Sequence, residues 1–338
     1  MSERPLRIAL VAPVAAPVRP GGGDSVEQLV GTLAQALVAR GQEVTLYATG
    51  NSDTAAHLRS VHAGGYDDED KMWDWFRQES FHAAAVFEQA AEFDVIHSHD
   101  FHFTLPFSRL TPTPLIETAH VELAPEVLLE LKRRPEVHIV TVSGYAAREV
   151  ESRPKHTVIP HGIDFDSFEL GAGDRGYLLF LGRLIADKGP ADAVRIAAAA
   201  GLPLVLAGPS QEDYDLAAEV DLEGVECVGW VDAAERQRLL AGARALLFPN
   251  RYGEPFGLVL LEAMACGTPV LGTAVGATPE IVDEGITGYT AAGWEGLASR
   301  TEEVARLDRR RVREHARSRF SVQRMVDAHL ALYRSIAR

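Results

Sequence analysis

Two cysteines in 338 residues, Cys227 and Cys266, are too few for a disulfide framework and have no metal-ligand spacing. A reducing, cytoplasmic setting is the expectation. No apolar run approaches the ~20 residues that span a bilayer. The opening MSERPLRIALVAPVAAP is short, broken by prolines and alternating, so it reads as a first buried strand rather than a secretion signal. Basic residues are scarce: 33 Lys+Arg face 48 Asp+Glu, a net charge of −15, which argues against nucleic acid as a partner. The tight basic clusters, LKRRP at 131–135 and DRRRVREHARSR at 308–319, read as solvated helix faces. A full dinucleotide fingerprint is also missing. The loop PGGGDS is followed by Val26 where a third glycine should stand, and LYATG lacks the acidic residue a ribose would need.

What is present is an ordinary globular composition, 46% hydrophobic and 24% charged, in a chain long enough for two cores. The first half alternates strand patterns (RIALVAP, EVTLYAT, DVIHSH, PLIETAH, VHIVTVS) with helical or loop segments. The helix after the first strand spaces Val26, Leu29, Val30, Leu33 and Leu37 along one face and stops at Gly41. The second half repeats the scheme with YLLFLGR, LPLVLAG, VECVGW, ALLFPN and TPVLGT as short buried strands, and ADAVRIAAAAG, ERQRLLAGA and LVLLEAMACG as helices. This predicts α/β architecture with two parallel sheets. The Gly- and Asp-rich stretch at about 160–176 reads as the linker, and VQRMVDAHLALYRSIAR as a final amphipathic helix that crosses back to the first half. Such sheets carry ligand sites at the carboxyl ends of their strands, and the cleft between two facing domains is the default location.

The unusual residues sit just past strands. Arg183 and Lys188, in LFLGRLIADKGP, suit a diphosphate, although a pair of surface charges is the plain alternative. In NRYGEPFGLVLLEAMACGTPV, Pro255 keeps Glu254 extended, so the helix begins near Gly257 and leaves the N–H groups of Phe256, Gly257 and Leu258 free for a hydroxyl or phosphate. Glu262 lies inside the helix, either paired with an internal donor or accepting from vicinal ribose hydroxyls. His97, His99 and His102 in DVIHSHDFH read as cleft-lining ahead of metal ligands, and His120 ends a strand where it can touch substrate. The acidic DDED at 67–70 reads as a solvated loop ahead of a metal site.

In this order, the segments resemble retaining family-4 glycosyltransferases of the GT-B fold, two Rossmann-like domains facing each other across a cleft. GEPFGLVLLEAMACGTPV carries their E-x7-E motif. The Gly-rich loop, FDVIHSH, VIPHGID, FLGRLIADKGP, VGWVDAAE and the crossover helix follow in place. The resemblance implies an acceptor domain at 1–163 completed by 321–338, and a donor domain at 164–320. It implies that Arg183 and Lys188 hold the donor diphosphate and that Glu262 takes the ribose. Glu254 with Phe256, Gly257, Leu258 and Val259 would read the donor sugar, and His120 would approach the anomeric centre. Gly22 and Gly23 would close on the diphosphate, and Trp230 and Val231 would border the base. His161 stands where the family often has Asn. No cofactor and no metal are expected. The implied reaction moves a hexosyl unit from a nucleotide sugar, UDP favoured, to an acceptor hydroxyl with retention. Acidic residues outnumber basic ones over 1–150, which suits a small soluble acceptor better than an anionic membrane surface. A lipid or polysaccharide acceptor, or a noncatalytic nucleotide-sugar binder, is the alternative. Residues 66–80, around WDW, are a candidate acceptor lid.

Overall fold

The computed structural model describes residues 4–19, 25–66, 75–172 and 176–337. Gly22, Gly23 and the 67–70 acidic run lie outside these, as does most of the candidate lid. The chain divides into two compact units, one of Met1–Gly162 with Val322–Arg338 and one of Ile163–Ser321.

The first unit holds strands β1 (Arg7–Val11), β2 (Glu43–Tyr47), β3 (His57–Arg59), β4 (Val95–Ser98), β5 (Leu115–Ala119), β6 (His138–Thr141) and β7 (His156–Val158). They form one sheet in the order β3-β2-β1-β4-β5-β6-β7, and every pairing is parallel. Its helices are α1 (Ser25–Ala39), α2 (Trp75–Glu88), α3 (Pro125–Arg133) and the short α4 (Gly144–Ala147). Alternate strand residues serve opposite faces. Ile8, Leu10, Val44 and Leu46 pack with Leu29, Leu33 and Leu37 of α1, whereas Ala9, Val11 and Tyr47 pack with Val86 of α2 and Leu131 of α3.

The second unit holds β8 (Leu178–Leu181), β9 (Leu204–Ala207), β10 (Val225–Gly229), β11 (Ala245–Phe248), β12 (Val270–Thr273) and β13 (Gly288–Ala291) in the parallel order β10-β9-β8-β11-β12-β13. Its helices are α5 (Pro190–Ala200), α6 (Ala233–Gly242), α7 (Leu258–Ala265), α8 (Thr278–Ile281), α9 (Trp294–Ala298), α10 (Thr301–Val304) and α11 (Arg309–Phe320). The last helix, α12 (Val322–Ile336), returns to the first unit, where Met325, Val326, Leu330 and Tyr333 share the core built on α1. Among the described residues no helix is long and apolar enough to cross a membrane.

The ten expected strands all form. The three that were not expected, β3, β7 and β13, are short edge strands whose side chains are half-exposed, so they carry no continuous apolar run. Strand β10 also corrects an expectation: it is an exposed edge strand, not a buried one.

Two further readings change. The stretch expected as a linker is packed structure in its described part. Phe165 is buried, and the carbonyls of Phe165, Phe168 and Gly171 accept hydrogen bonds from Arg313 and Arg309 at 2.6–2.8 Å. The basic helix at 308–319 is therefore not only a solvated face. Val312, Ala316 and Phe320 are buried, and two of its arginines tie the chain after Ile163 to the ends of α6 and α7 through the carbonyls of Ala241, Ala243 and Ala265. The apolar period shows the buried stripe; the arginine contacts depend on which carbonyls tertiary packing brings near.

In both sheets the strand order reverses beside the first strand of the unit, between β1 and β4 and between β8 and β11. Ligands of open α/β sheets bind outside the carboxyl ends of the strands at that reversal. The loops leaving these four strands carry most of the unusual residues.

Candidate active-site residues in each unit

In the second unit, β8 leads into Arg183 and a single 3-10 turn, Ala186–Lys188. Strand β11 leads into Asn250–Gly257 and then α7. The two loops meet through one carboxylate. Glu254 Oε2 pairs with Lys188 Nζ and accepts hydrogen bonds from Tyr252 Oη at 2.6 Å and Asn250 Nδ2 at 3.1 Å. Lys188 Nζ also donates to Tyr252 Oη at 2.9 Å. Among the described residues nothing hydrogen-bonds Glu254 Oε1, so one oxygen is left for a ligand. Burial raises the Tyr252 phenol, and the bond to Glu254 adds to it, so Tyr252 stays a protonated donor.

The backbone of Glu254 is held from the loop after β12. Its carbonyl accepts from Ala277 N at 2.9 Å. Gly276, at φ +66°, lies so close that a Cβ there would stand 2.5 Å from Glu254 N and O. Arg183 is exposed and makes no side-chain hydrogen bond or ion pair among the described residues, while its charge acts on Tyr252. Arg251, which precedes Tyr252 in sequence, is engaged elsewhere, with Asp192 at 2.9 and 3.1 Å. Arg183 is thus the available second cation beside Lys188.

Helix α7 begins at Leu258, where the LVLLEAMACG pattern starts, with Gly257 at φ +94° as its N-cap. That left-handed backbone is open to glycine and strained for other residues. The first N–H groups of the helix have no intrahelical acceptor, and the dipole there favours an anion. Leu258 and Val259 are only half-buried, whereas Phe256 is buried against Phe320. The rest of α7 is apolar on all sides and buried on all sides, with Glu262 the exception. Arg236 of α6 stands 3.5 Å from Glu262 Oε1, and no described residue hydrogen-bonds either carboxylate oxygen. Burial pushes the Glu262 pKa up, with Arg236 pulling the other way. Trp230 is 74% exposed after β10, and Val231 is half-buried. No ring contact or hydrogen bond ties Trp230 to the Glu254 network among the described residues.

The first unit gathers histidines. His97 Nδ1 is 2.6 Å from Tyr333 Oη and its Nε2 is 2.7 Å from Thr118 Oγ1. His99 Nδ1 is 2.8 Å from His120 Nε2 at the end of β5. His120 stacks on His161, with centroids 5.3 Å apart and planes 25° apart. His97 also lies against His329 of α12. Burial, and then the neighbouring imidazoles, holds this group neutral: His120 is lowered to about 3, His329 by burial to about 4, and His97, His99 and His161 well below their ordinary value. Among the described residues no group of three His, Cys, Asp or Glu is arranged to hold a metal ion. His102 lies apart, 3.5 Å from buried Glu117, and both Phe101 (φ 54°) and His102 (φ 78°) are left-handed. Non-glycine residues in that region cost about 1–3 kcal/mol each, and such strain concentrates at functional loops.

Asp100 and Glu117 are both buried, and the Asp100 carboxyl is raised by burial and by Glu117. Glu79 of α2 accepts from Val14 N at 3.0 Å and is raised to about 8 by burial, with Asp100 the next cause.

The structure therefore brings Lys188 and Glu254 together, places Arg183 close by, and puts Glu262 on the adjoining helix. The sequence reading missed Asn250, Tyr252 and Arg236, and passed over His161 as structural. Asn250 and Tyr252 lie within the NRYGE segment, but a loop has no period from which their direction could be read.

The profile described as Glycosyl transferases group 1 matches residues 163–319, and that described as Glycosyltransferase Family 4 matches residues 22–167. A D-inositol 3-phosphate glycosyltransferase of Mycolicibacterium paratuberculosis is 30% identical, covering 99% of this chain and 92% of its own. Among solved structures, AviGT4, a glycosyltransferase involved in avilamycin A biosynthesis, is similar with TM-score 0.75 and 26% identity, over 98% of this chain and 97% of its own. Anabaena HepE in complex with UDP and glucose is similar with TM-score 0.74 and 17% identity, over 98% of this chain and 100% of its own.

Proposed function

Because the chain belongs to the family-4 (group 1) glycosyltransferases of the GT-B fold, we propose that it moves a hexosyl unit from a nucleoside-diphosphate sugar to a hydroxyl of a small, soluble, unphosphorylated acceptor. The anomeric configuration is retained and no metal is needed. The observation that carries this is the Lys188–Tyr252–Asn250–Glu254 network beside the N-terminus of α7, which no described side chain caps.

In the reaction the bond from C1 to the phosphate oxygen breaks, and the acceptor oxygen bonds to C1 on the same face. The acceptor proton passes to the departing phosphate. Negative charge grows on that phosphate. Arg183, Lys188 and the first N–H groups of α7 meet it, which is the work a metal would otherwise do. Glu254 Oε1 reads the sugar hydroxyls while Oε2 stays anchored on Tyr252 and Asn250. Glu262 accepts from the ribose, with the charge of Arg236 opposing the upward shift that burial imposes. Trp230, with its ring in solvent, offers a stacking face to the base, and Val231 borders it. UDP is the favoured nucleotide; HepE, of the same fold, is known in complex with it. His120 is assigned to the sugar, and Gly22 and Gly23, which lie outside the described residues, to the diphosphate.

The acceptor reading rests on charge. Among the described residues, the ionisable groups that act on Glu79, Asp100, His99 and His120 are carboxyls, Tyr66 and histidines, with no lysine or arginine. A phosphate would find no cationic partner there, whereas hydroxyls need only the polar side chains. The named acceptor of the mycobacterial relative therefore does not transfer simply to this chain.

The test incubates the protein with UDP-, GDP- and ADP-glucose, with and without EDTA, against myo-inositol, inositol 3-phosphate, simple sugars and anionic liposomes. An α-linked product on an unphosphorylated acceptor, unchanged by EDTA, is expected. An inverted anomer, loss of turnover in EDTA, or transfer confined to the phosphorylated acceptor or the liposomes would overturn the corresponding part.

A further inference from the structure

His120, the residue proposed above to contact the sugar, has one nitrogen already committed. Its Nε2 lies 2.8 Å from His99 Nδ1, so one of the two imidazoles donates and the other accepts. Both rings are neutral, because burial and the surrounding imidazoles disfavour a charge. Each therefore carries a single proton, and only two arrangements exist.

In the first, His99 donates from Nδ1. Its Nε2 is then a bare lone pair, and the proton of His120 must sit on Nδ1. In the second, His120 donates from Nε2, and the proton of His99 must sit on its own Nε2. That atom is sealed from solvent and has no hydrogen-bond partner. The second arrangement thus creates an orphaned buried N–H group, which folded proteins almost never tolerate; an under-used acceptor is the milder defect.

We infer that His99 is a positioning residue that fixes His120 as the Nδ1–H tautomer, and that His161 fixes its ring plane by stacking. His99 is held in turn. Its ring packs against His97 at 4.2 Å between centroids, and His97 is pinned at both nitrogens by Tyr333 and Thr118. The stack of His161 on His120, with centroids 5.3 Å and planes 25° apart, restricts rotation of the ring about its Cβ–Cγ bond. His120 therefore presents a fixed N–H donor and no lone pair. It can hold a hydroxyl or phosphate oxygen of the donor, and it cannot serve as a general base toward the acceptor. This deepens the transferase reading, because it leaves the departing phosphate as the proton acceptor.

The experiment has two arms that fail separately. In protein labelled with 15N at histidine, long-range 15N–1H correlation spectra at pH 7 to 8 report which nitrogen of His120 bears the proton. Nδ1 protonation in the wild type is expected. In His99→Phe the tautomers should mix, and in His99→Asn, whose amide nitrogen can reach the place of Nδ1 and donate, Nδ1 protonation should persist. This arm does not depend on catalysis. In the kinetic arm, H99F should lose at least about tenfold in kcat while its KM for the nucleotide sugar moves less than about threefold, as expected when a tautomer is misassigned without loss of binding. H99N should keep kcat within about threefold of the wild type, the usual sign that a donated hydrogen bond has been restored. Nε2 protonation of His120 in the wild type overturns the inference, and so do equal kcat values in folded H99F and H99N. Should H99F fail to fold, the wild-type and H99N spectra still decide it. Loss of all transfer activity in a wild type with the expected spectrum would count against the transferase reading alone.

Discussion

Replacing Glu254 by glutamine should strengthen binding of the free nucleoside diphosphate while it abolishes most sugar transfer. Without ligand, Lys188 is not a free cation, because it is paired with Glu254 Oε2. A diphosphate must share or displace that partner. The two side chains are only 17% and 19% exposed, so the pair is screened less than a surface pair and lies at the top of the usual range of about 0.2–1 kcal/mol. About 1 kcal/mol of competition is a reasonable figure, and it corresponds to about a fivefold change in Kd. Glutamine keeps the shape, and its side-chain oxygen can still accept from Tyr252 and Asn250, so the loop should stay in place. The lost charge releases Lys188 to the phosphates. Transfer should nonetheless fall by about 10²- to 10³-fold, the usual effect of deleting one key polar group at a reacting centre. Isothermal titration with UDP and steady-state turnover of the UDP-sugar measure the two halves on the same sample. Weaker UDP binding in a folded variant would show that the Lys188–Glu254 pair organises the site instead of competing with the ligand. Unchanged turnover would remove Glu254 from contact with the sugar.

Gly276→Ala should cost the second unit roughly 2–4 kcal/mol, from left-handed backbone and from overpacking against Glu254. Chemical denaturation reads the loss, and full stability with native turnover would refute the close approach. Acid should open the first unit before the second. Eleven of the twelve histidines lie there, all but His315, and the buried cluster keeps His120 near 3 and His329 near 4 against about 6.5 in an unfolded chain. A depressed histidine binds fewer protons folded than unfolded, so its contribution is complete above about pH 6.5 and is lost as pH falls toward 4. Hydrogen exchange at pH 7 and 4.5 should show the β4, β5 and α12 peptides losing protection first; earlier loss in β8 and β11 would contradict this.

Much of the second unit's candidate site was legible because its signals are local. Pro255 keeps Glu254 extended, Gly257 ends the loop, and seven residues separate Glu254 from Glu262, so one carboxylate lies before the helix and the other within it. None of these depends on distant parts of the chain. The alternation of apolar strands with 3.6-period helices likewise determined two α/β units, since each pattern suits one kind of backbone and buries one kind of face. Short edge strands escaped because a half-exposed strand needs no apolar run.

Tertiary structure alone decided what the carboxylates and histidines meet. Lys188 reaches Glu254 because β8 and β11 are neighbours across the reversal in strand order, although the two lie 66 positions apart in sequence. Arg236 meets Glu262 because α6 packs beside α7. His120 touches His99 from the next strand and His161 from the chain beyond β7, while Tyr333 arrives on the returning α12. Residue type and spacing set what each segment could be, since backbone preference and burial act over a few residues. Hydrogen bonds and ion pairs act over about 3 Å of space, and only the folded chain determines which atoms come that close.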